Sequence, residues 1–460
     1  MLSIFAPVST FADSIRAGLH SVPMNASAHP ASRPAFDTLA DAFVPHLAPG
    51  DPFAWPMKVR ALASDSYTFW RGSKHHFYAW SRTACADWLA DPSRFIITHG
   101  DPHFGNIGTY PASAGFGELS LGFVDFDEAV SLPPEMELLQ GYIVFRLTAQ
   151  HMKLPWTARL DHAVQTTLSE HYRASAAGDA SPRQLLADLP LAVALFDDRS
   201  KSYEDMVHSM TTTGQFDRLL GKPQAPADLL RRTPELIEPV ARALTRAAAE
   251  QPALGRQLRY SSAESFRHAI RDIGQRTRLK SSGSQGLKKF FVLIRSPFHA
   301  YEGDVVLYLK QEVVAPGEHQ RLTPPHEAGP GARVAGAARA LSPEQWYVNA
   351  HVTLNNEAYW VTLREPWGSE LDLARLVDRD DLVAAVRIWA TVAGCAHRAA
   401  GMDSADWLTT ERVTQIATRS AQYLALHQDL FEEFRADPRV ISLVGVAEAS
   451  IAALSRSRSR

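Results

Sequence analysis

Cysteine is scarce in this chain of 460 residues, which contains Cys85 and Cys395 and no others. Two cysteines cannot build a disulfide framework or the common cysteine-rich kind of zinc site. Both lie in apolar sequence with a helical pattern, so we expect them to be buried structural thiols. A chain with no disulfide framework is typical of a reducing compartment, and we expect a cytoplasmic protein.

The chain also lacks a long apolar run and an excess of charge of one sign. No uncharged apolar stretch approaches the roughly 20 residues that span a bilayer. Asp13 and Arg16 interrupt the N-terminal segment, so the sequence predicts no signal peptide. The formal net charge is −3, which gives no reason to expect a nucleic acid or an anionic membrane as a partner. The hydrophobic content of 45% is instead that of a globular protein.

The most informative segment runs from Thr98 to Asn106 and reads THGDPHFGN. Asp101 and Asn106 are separated by four residues, as in the catalytic loop of kinases, where the Asp accepts the proton of the substrate hydroxyl and the Asn holds a metal ion. His99 and His103 are candidates for fixing this loop through hydrogen bonds. The alternative is a polar turn in which Asp101 and Asn106 cap the backbone.

A second acidic turn contains Asp125, Asp127 and Glu128, directly after a predicted strand. Carboxylates this close repel one another unless a cation compensates them, and Mg²⁺ prefers oxygen ligands. We therefore predict Asp125 as the principal metal ligand, with Asp127 and Asn106 as the others. The alternative is a solvated acidic turn in which Glu128 favours the N-terminus of the next helix.

The third candidate is a nucleotide site, most of which lies in the second half of the chain. A Gly/Ser turn between two predicted strands would let backbone N–H groups approach phosphate oxygens. Lys310, at the end of the predicted strand 305–309, would face the same cleft. Glu312 lies two residues further on and shares the strand face of Lys310. The predicted nucleotide-binding residues are Gly283, Ser284, Gly286, Lys310, Glu312 and Arg71. The alternatives are an ordinary hairpin, a surface lysine, an exposed glutamate and a structural ion pair of Arg71.

The periodicity of apolar residues predicts an α+β fold with two lobes. Residues 156–273 have an almost wholly helical pattern, broken at 178–182 and 221–226. Strands are predicted at 290–294, 305–309, 347–353 and 358–363, the last two forming a hairpin at Asn355-Asn356. We predict four segments: an N-terminal arm and first helix at 1–52, a helical lobe with both acidic turns at 53–273, a small antiparallel β lobe that binds nucleotide at 274–366, and C-terminal helices that complete the helical lobe at 367–460.

These motifs resemble, in the same order, those of a bacterial family called domain of unknown function 2252. The resemblance covers roughly residues 53–401, and the family has no assigned activity. The motifs that carry it are Trp70-Arg71-Gly72, Gly100 to Asn106, Asp125 to Glu128, Gly283 to Leu287 and Leu309 to Glu312.

The same pieces are similar to the aminoglycoside phosphotransferase and choline kinase group, which has a protein kinase-like fold. His99 to Asn106 matches the His-Gly-Asp-x-His-x-x-Asn loop of that group, and Asp125 to Asp127 matches its Asp-Phe-Asp metal turn. The resemblance implies that Asp101 is the catalytic base and that Asn106 and Asp125 are metal ligands. In that group the glycine loop and lysine precede the catalytic loop, whereas here they follow it. The implied fold is a circular permutation, cut between a helix ending near His397 and the loop.

Three functions are compatible with these residues. The first, which we favour, is an ATP- and Mg²⁺-dependent phosphotransferase that acts on a hydroxyl of an unidentified small molecule or protein. The second is a metal-dependent phosphoesterase built from His99, Asp101, His103 and Asp125. The third is a non-catalytic module that binds nucleotide as a switch. The expected partners are therefore a nucleotide, ATP or another, and an acceptor whose identity the residues do not indicate.

Overall fold

The fold is a mixture of helices and antiparallel sheet, as the sequence predicts at that level. It is known from a computed structural model, which describes residues 34–46, 54–112, 118–187, 189–195, 202–217, 219–222, 225–278, 287–342, 344–364, 366 and 369–458. Within these residues no helix is both long enough and apolar enough to cross a membrane. Cys85 and Cys395 are both buried, as expected.

Helices enclose the two acidic turns in the first part of the chain. Local sequence signals mark where these helices begin. Asp65 caps one helix N-terminus by accepting a hydrogen bond from the backbone N–H of Thr68. Pro134 is the first residue of another helix, a position where proline is favoured. The elements are α1 (Ala35–Phe43), α2 (Ala54–Leu62), α3 (Ser66–Gly72), α4 (Lys74–Ala84), α5 (Ala86–Leu89), β1 (Ile96–Thr98), β2 (Ile107–Pro111), β3 (Leu119–Phe123), β4 (Val130–Leu132), α6 (Pro134–His151), α7 (Ala158–Ala177) and α8 (Pro190–Val193).

The middle of the chain builds a seven-stranded antiparallel sheet with helices packed against it. Its strand order is β12-β13-β11-β10-β9-β8-β7, so the strand that carries Lys310 is interior. The elements are α9 (Tyr203–Met210), β5 (Thr211–Thr212), β6 (Gln215–Phe216), β7 (Leu219–Lys222), β8 (Ala225–Arg232), α10 (Ile237–Glu250), α11 (Pro252–Gln257), α12 (Ala263–Ala269), β9 (Ile270–Arg278), β10 (Lys289–Arg295), β11 (Asp304–Gln311), α13 (Pro316–His319), α14 (Pro330–Leu341), β12 (Ala350–Leu354) and β13 (Glu357–Leu363).

Three long helices complete the described chain. They are α15 (Arg379–Ala399), α16 (Thr410–Ala436) and α17 (Pro438–Arg458). They return to the first part of the chain, because α15 packs along α7, α16 along α6 and α17 along α2. Buried residues of α6, α7 and α15 share one hydrophobic cluster, which lies beneath the acidic turns, and the sheet has a second cluster of its own.

Two local predictions are confirmed and one is wrong. Helix α7 ends at Gly178, which has the left-handed φ of 93° that favours glycine. The hairpin at Asn355-Asn356 is present, with φ values of 52° and 63° at the two turn residues. The helical prediction for residues 156–273 fails at β7, β8 and the start of β9. Strand β8 pairs along β9. The conformation of β8 is therefore determined by pairing with a distant segment and not by its own helical sequence pattern.

Candidate active site

The predicted catalytic loop leaves β1 and folds back against the acidic turn. Its second residue, Gly100, has a φ of 78°, and a Cβ at this position would lie 2.0 Å from the carbonyl oxygen of Glu128. Only glycine accepts both the left-handed backbone and this close approach. The hydroxyl of Tyr78 donates to the carbonyl oxygen of Gly100 at 3.2 Å. Glycine at position 100 therefore allows the predicted catalytic loop and the acidic turn to lie side by side.

Asp101 is a buried carboxylate, 8% exposed, between two basic side chains. The ammonium nitrogen of Lys74 lies 2.9 Å from Oδ1, and Nε2 of His103 lies 3.3 Å from Oδ2. The amide Nδ2 of Asn106 donates to the backbone carbonyl of Asp101 at 2.9 Å. Burial alone raises the pKa of Asp101, but the charge of Lys74 outweighs it and holds the pKa below its usual value. Asp101 is thus ionised near neutral pH.

His99 fixes the loop rather than facing a substrate. Its Nε2 bonds the carbonyl oxygen of Val124 at 2.9 Å, and its Nδ1 accepts from the backbone N–H of Asp101 at 3.3 Å. Its own backbone N–H donates to Glu137 of α6 at 2.6 Å. The same carboxylate oxygen of Glu137 lies 3.4 Å from Nε2 of His397, near the end of α15. The helix and the loop that the proposed permutation separates in sequence are therefore adjacent in space.

Asn106 and Asp125 are neighbours because β2 and β3 pair as a hairpin. Ile107 pairs with Phe123, and the backbone N–H of Val124 donates to the carbonyl oxygen of Asn106 at 2.8 Å. Asp125 follows immediately with a φ of 67°. This left-handed conformation is uncommon outside glycine, although aspartate adopts it more readily than most side chains, and such strain is concentrated at functional sites.

Lys310 joins the sheet to the acidic turn. Its ammonium nitrogen lies 2.5 Å from Oδ1 of Asp127 and also bonds Oδ1 of Asp125. Desolvation opposes ionisation of Asp125, but Lys310 outweighs it and lowers the pKa of Asp125 well below its usual range. Burial and the charge of Asp125 raise the pKa of Asp127 to about 6. Burial lowers the pKa of Lys310, yet the two carboxylates outweigh it and raise the pKa well above the usual value.

A second cation, Arg333 of α14, holds the backbone of the acidic turn. Its guanidinium donates to the carbonyl oxygens of Ala129 at 2.6 Å and Asp127 at 2.8 Å. It also donates to Val313, just after β11, at 2.9 Å, and it lies 3.4 Å from Glu318. Glu318 therefore pairs with an arginine and not with Lys310. In protein kinases a glutamate of the helix after the lysine strand makes that pair.

The structure brings together most of the residues that the sequence predicts for this site. Glu312 is buried beside Lys310, and burial, followed by the charge of Asp127, raises its pKa well above the usual value. Arg71 lies against His103, which in turn lies beside Asp101. The residues found near one another are His99, Asp101, His103, Asn106, Asp125, Asp127, Lys310, Glu312 and Arg71. The predicted phosphate-binding turn of Gly283, Ser284 and Gly286 lies outside the described residues.

Sequence reasoning missed three buried basic residues, Lys58, Lys74 and Arg333. A lysine on a short helix is exposed far more often than buried, so residue type gives no signal. Lys74 is followed by two histidines and then by Phe77, Tyr78 and Trp80. These aromatic residues indicate a packed helix, but they do not indicate that its lysine is buried.

The donor atoms of the acidic turn suit a hard cation. Asp125 keeps 46% of its side chain exposed although Lys310 contacts it, so an ion can approach it. Burial and then the charge of Asp125 raise the pKa of Asp127, and a divalent ion relieves such repulsion between carboxylates. Among the described residues, no three His, Cys, Asp or Glu side chains are grouped to hold a metal. A magnesium ion here would therefore rely on Asp125, Asp127, the amide oxygen of Asn106 and oxygens of a ligand.

Comparison with known proteins identifies one family. Residues 51–436 match a family described as an uncharacterised protein conserved in bacteria, DUF2252. No curated protein and no solved structure matches the chain. The match covers most of the chain and includes every described residue of the site, from Arg71 to Lys310. The chain therefore belongs to the bacterial domain-of-unknown-function-2252 family.

Proposed function

We propose that this protein is an ATP- and Mg²⁺-dependent phosphotransferase with a circularly permuted kinase-like fold. One observation carries the proposal. Lys310, from the interior of the sheet, bonds the carboxylates of Asp125 and Asp127, and the same turn borders the loop that holds Asp101 and Asn106. A lysine and a metal-type carboxylate side by side are the parts that kinases use to hold nucleotide phosphates.

The order of the strands supports this reading. Lys310 lies on β11, the third strand counted from β9, and the Gly/Ser segment of the sequence connects β9 to β10. Protein kinases likewise carry their lysine on the third strand, after a glycine-rich loop that covers the phosphates. Helices α13 and α14 then precede the hairpin of β12 and β13, and α15 follows. The end of α15 reaches the catalytic loop through His397 and Glu137.

In the proposed reaction the acceptor hydroxyl oxygen forms a bond to the γ-phosphorus of ATP. The bond from that phosphorus to the β,γ-bridging oxygen breaks, and ADP leaves with the electron pair. Oδ2 of Asp101 accepts the hydroxyl proton, which then passes to solvent. Lys74 keeps Asp101 ionised for this role, and Lys310 counters the phosphate charge. Magnesium, when bound, neutralises charge on the phosphate oxygens.

The described contacts weigh against the phosphoesterase built from the two histidines. Both ring nitrogens of His99 bond backbone groups of the loop and turn. Nε2 of His103 accepts from Arg71 at 2.8 Å. Neither imidazole points to a shared ion with Asp101 and Asp125, so water activation by a histidine-bound metal has no support in the described residues.

Thermal unfolding with ATP and Mg²⁺ tests the proposal. We expect ATP and Mg²⁺ together to raise the melting temperature of the wild type, since a ligand at 100 times its dissociation constant stabilises by about 2.7 kcal/mol. Lys310→Ala and Asp125→Asn should each abolish the shift. Lys153→Ala, at an exposed position after α6, is the matched control and should keep it.

Two results would count against the proposal. One is the absence of any shift in the wild type at millimolar ATP, which would favour a partner-binding module. The other is a shift that persists in both site variants, which would put the nucleotide elsewhere on the chain.

A further inference from the structure

Arg71, at the end of α3, is a partly buried arginine fixed beside the predicted base. Its Nε donates to Nε2 of His103 at 2.8 Å. Because that ring nitrogen accepts, His103 carries its proton on Nδ1 and is neutral. Burial and the neighbouring charge of Arg71 agree with this, since they lower the pKa of His103 well below its usual value. One edge of the guanidinium is thus held in place.

The other edge of Arg71 has no partner in the described part of the chain. Neither of its terminal nitrogens makes a hydrogen bond there, and no carboxylate pairs with it. The other basic groups of the site differ, because Lys74 pairs with Asp101, Lys310 with Asp125 and Asp127, and Arg333 with Glu318. A partly buried, unpaired guanidinium presents two parallel donors, which match the oxygens of a phosphate or a carboxylate.

The position of Arg71 indicates which ligand this edge meets. Its Nε bonds Nε2 of His103, and the same ring nitrogen lies 3.3 Å from Oδ2 of Asp101. Lys310 instead bonds Asp125 and Asp127. Arg71 therefore stands on the side of the site where an acceptor hydroxyl must approach Oδ2 of Asp101. A substituent next to that hydroxyl falls beside the open edge of the guanidinium.

We propose that the acceptor is an anion, with a phosphate or carboxylate group close to the hydroxyl that is phosphorylated, and that Arg71 binds this group. The inference rests on the proposed phosphotransferase function for the identity of Asp101 as the base. Arg71 thereby selects the acceptor, and neutral or cationic hydroxyl compounds lack the group that it binds. This differs from the nucleotide-binding role that the sequence predicts for Arg71.

Inorganic phosphate serves as the probe of this site, measured by calorimetry and thermal unfolding on the full chain. We expect phosphate to bind the wild type and to bind Arg71→Met about tenfold or more weakly, because a bidentate charged pair is lost. Arg71→Lys keeps the charge but loses the two parallel N–H donors, so its affinity for phosphate should lie between those of the wild type and Arg71→Met. Arg82→Met, at an exposed position on α4, is the matched control.

These experiments test the anion-binding role of Arg71 independently of the proposed phosphotransferase function. Equal phosphate binding in Arg71→Met and wild type, or no binding by the wild type, overturns the inference. Loss of the ATP and Mg²⁺ shift in Arg71→Met also overturns it and assigns Arg71 to the nucleotide. If ATP never stabilises the wild type while phosphate binding depends on Arg71, the phosphotransferase fails and the anion site stands. Should Arg71→Met not fold, Arg71→Lys provides the same comparison.

Discussion

Individual charges in this site are balanced inside the fold and not by solvent. Lys74 has a fully buried side chain. Its ammonium pairs with Asp101, lies over the Trp70 ring at 3.6 Å from the ring centre and donates to Gln140 at 3.2 Å. A buried pair of this kind contributes little net stability, because desolvation offsets the attraction. The pair holds Asp101 ionised in one orientation, which its proposed role as the base requires.

Lys58 of α2 is a buried lysine whose contribution to the free energy of unfolding depends on pH. It is fully buried, with its ammonium 3.6 Å from the centre of the Phe43 ring. Burial lowers its pKa from 10.5 to about 7, although Glu128 and Asp127 act in the opposite direction. Between these values the unfolded chain binds the proton and the folded chain does not. The contribution of Lys58 to stability therefore rises with pH across this window, by up to about 1.4 kcal/mol per pH unit.

We expect Lys58→Met to be more stable than the wild type at pH 7 and to lose this advantage towards pH 10. Urea denaturation at several pH values measures the difference between the two proteins, so that other titrating groups, including the neighbouring His75, cancel to first order. Lys153→Met, at an exposed site, is the control and should show a difference that does not change with pH. A wild type that loses stability relative to Lys58→Met as pH rises would contradict the assignment.

At the scale of elements, the support of the catalytic loop depends on how closely α7 and α15 approach. A Cβ on Gly394 of α15 would lie 2.5 Å from the carbonyl oxygen of Tyr172 in α7. The next turn of α15 carries His397, which the hydroxyl of Tyr172 contacts at 2.6 Å. The glycine thus lets the two helices meet where they position the loop.

Two glycine-to-alanine changes separate packing from helix propensity. Gly394→Ala should destabilise the protein by about 1–3 kcal/mol, because the backbone of α7 must move. Gly336→Ala in α14 has open space around the new methyl group and should gain up to about 1 kcal/mol from helix propensity. Chemical denaturation of both variants measures the two effects. Changes of opposite sign are expected, and a gain in stability at Gly394 would show that the helices are not in tight contact there.

The comparison of elements also shows which features the sequence could predict. Strands β10 and β11 and the Asn355-Asn356 turn carry local patterns, and the structure has them. The sequence does not predict strands β7 and β8, because pairing of β8 with β9 and of β7 with β8 specifies them and not their own residues. The site follows the same rule. The spacing within each acidic turn predicts the groups that the turns contribute, whereas Lys74 and Arg333 come from distant helices and become part of the site only through burial.

At the scale of the whole molecule, charged contacts join the sheet to the acidic turn, alongside the packing of Phe126 against Trp346 and Trp360. Lys310 reaches from β11 to the acidic turn. Arg333 bonds the carbonyl oxygens of Asp127 and Ala129 on the helical side and that of Val313 on the sheet side. Lys310 bonds side chains that a ligand would also engage, whereas Arg333 bonds backbone. We infer that Arg333 holds the two parts in register whether or not a ligand is present.

Arg333→Lys tests this connection, because lysine keeps the charge but cannot bond three carbonyl groups in a fixed plane. Each bond to a charged donor contributes about 1.5–3 kcal/mol, so loss of one or two should speed amide exchange in the acidic turn by at least about tenfold. The amides of Val124 and Ala129, which bond Asn106 and Phe126, report on the turn, and that of Val292 inside β10 reports on the sheet. We expect the first two to exchange faster and the third to be unchanged. Arg339→Lys, exposed on the same helix, should alter none of them. Faster exchange at all three amides would mean that Arg333 stabilises the whole fold and not the junction.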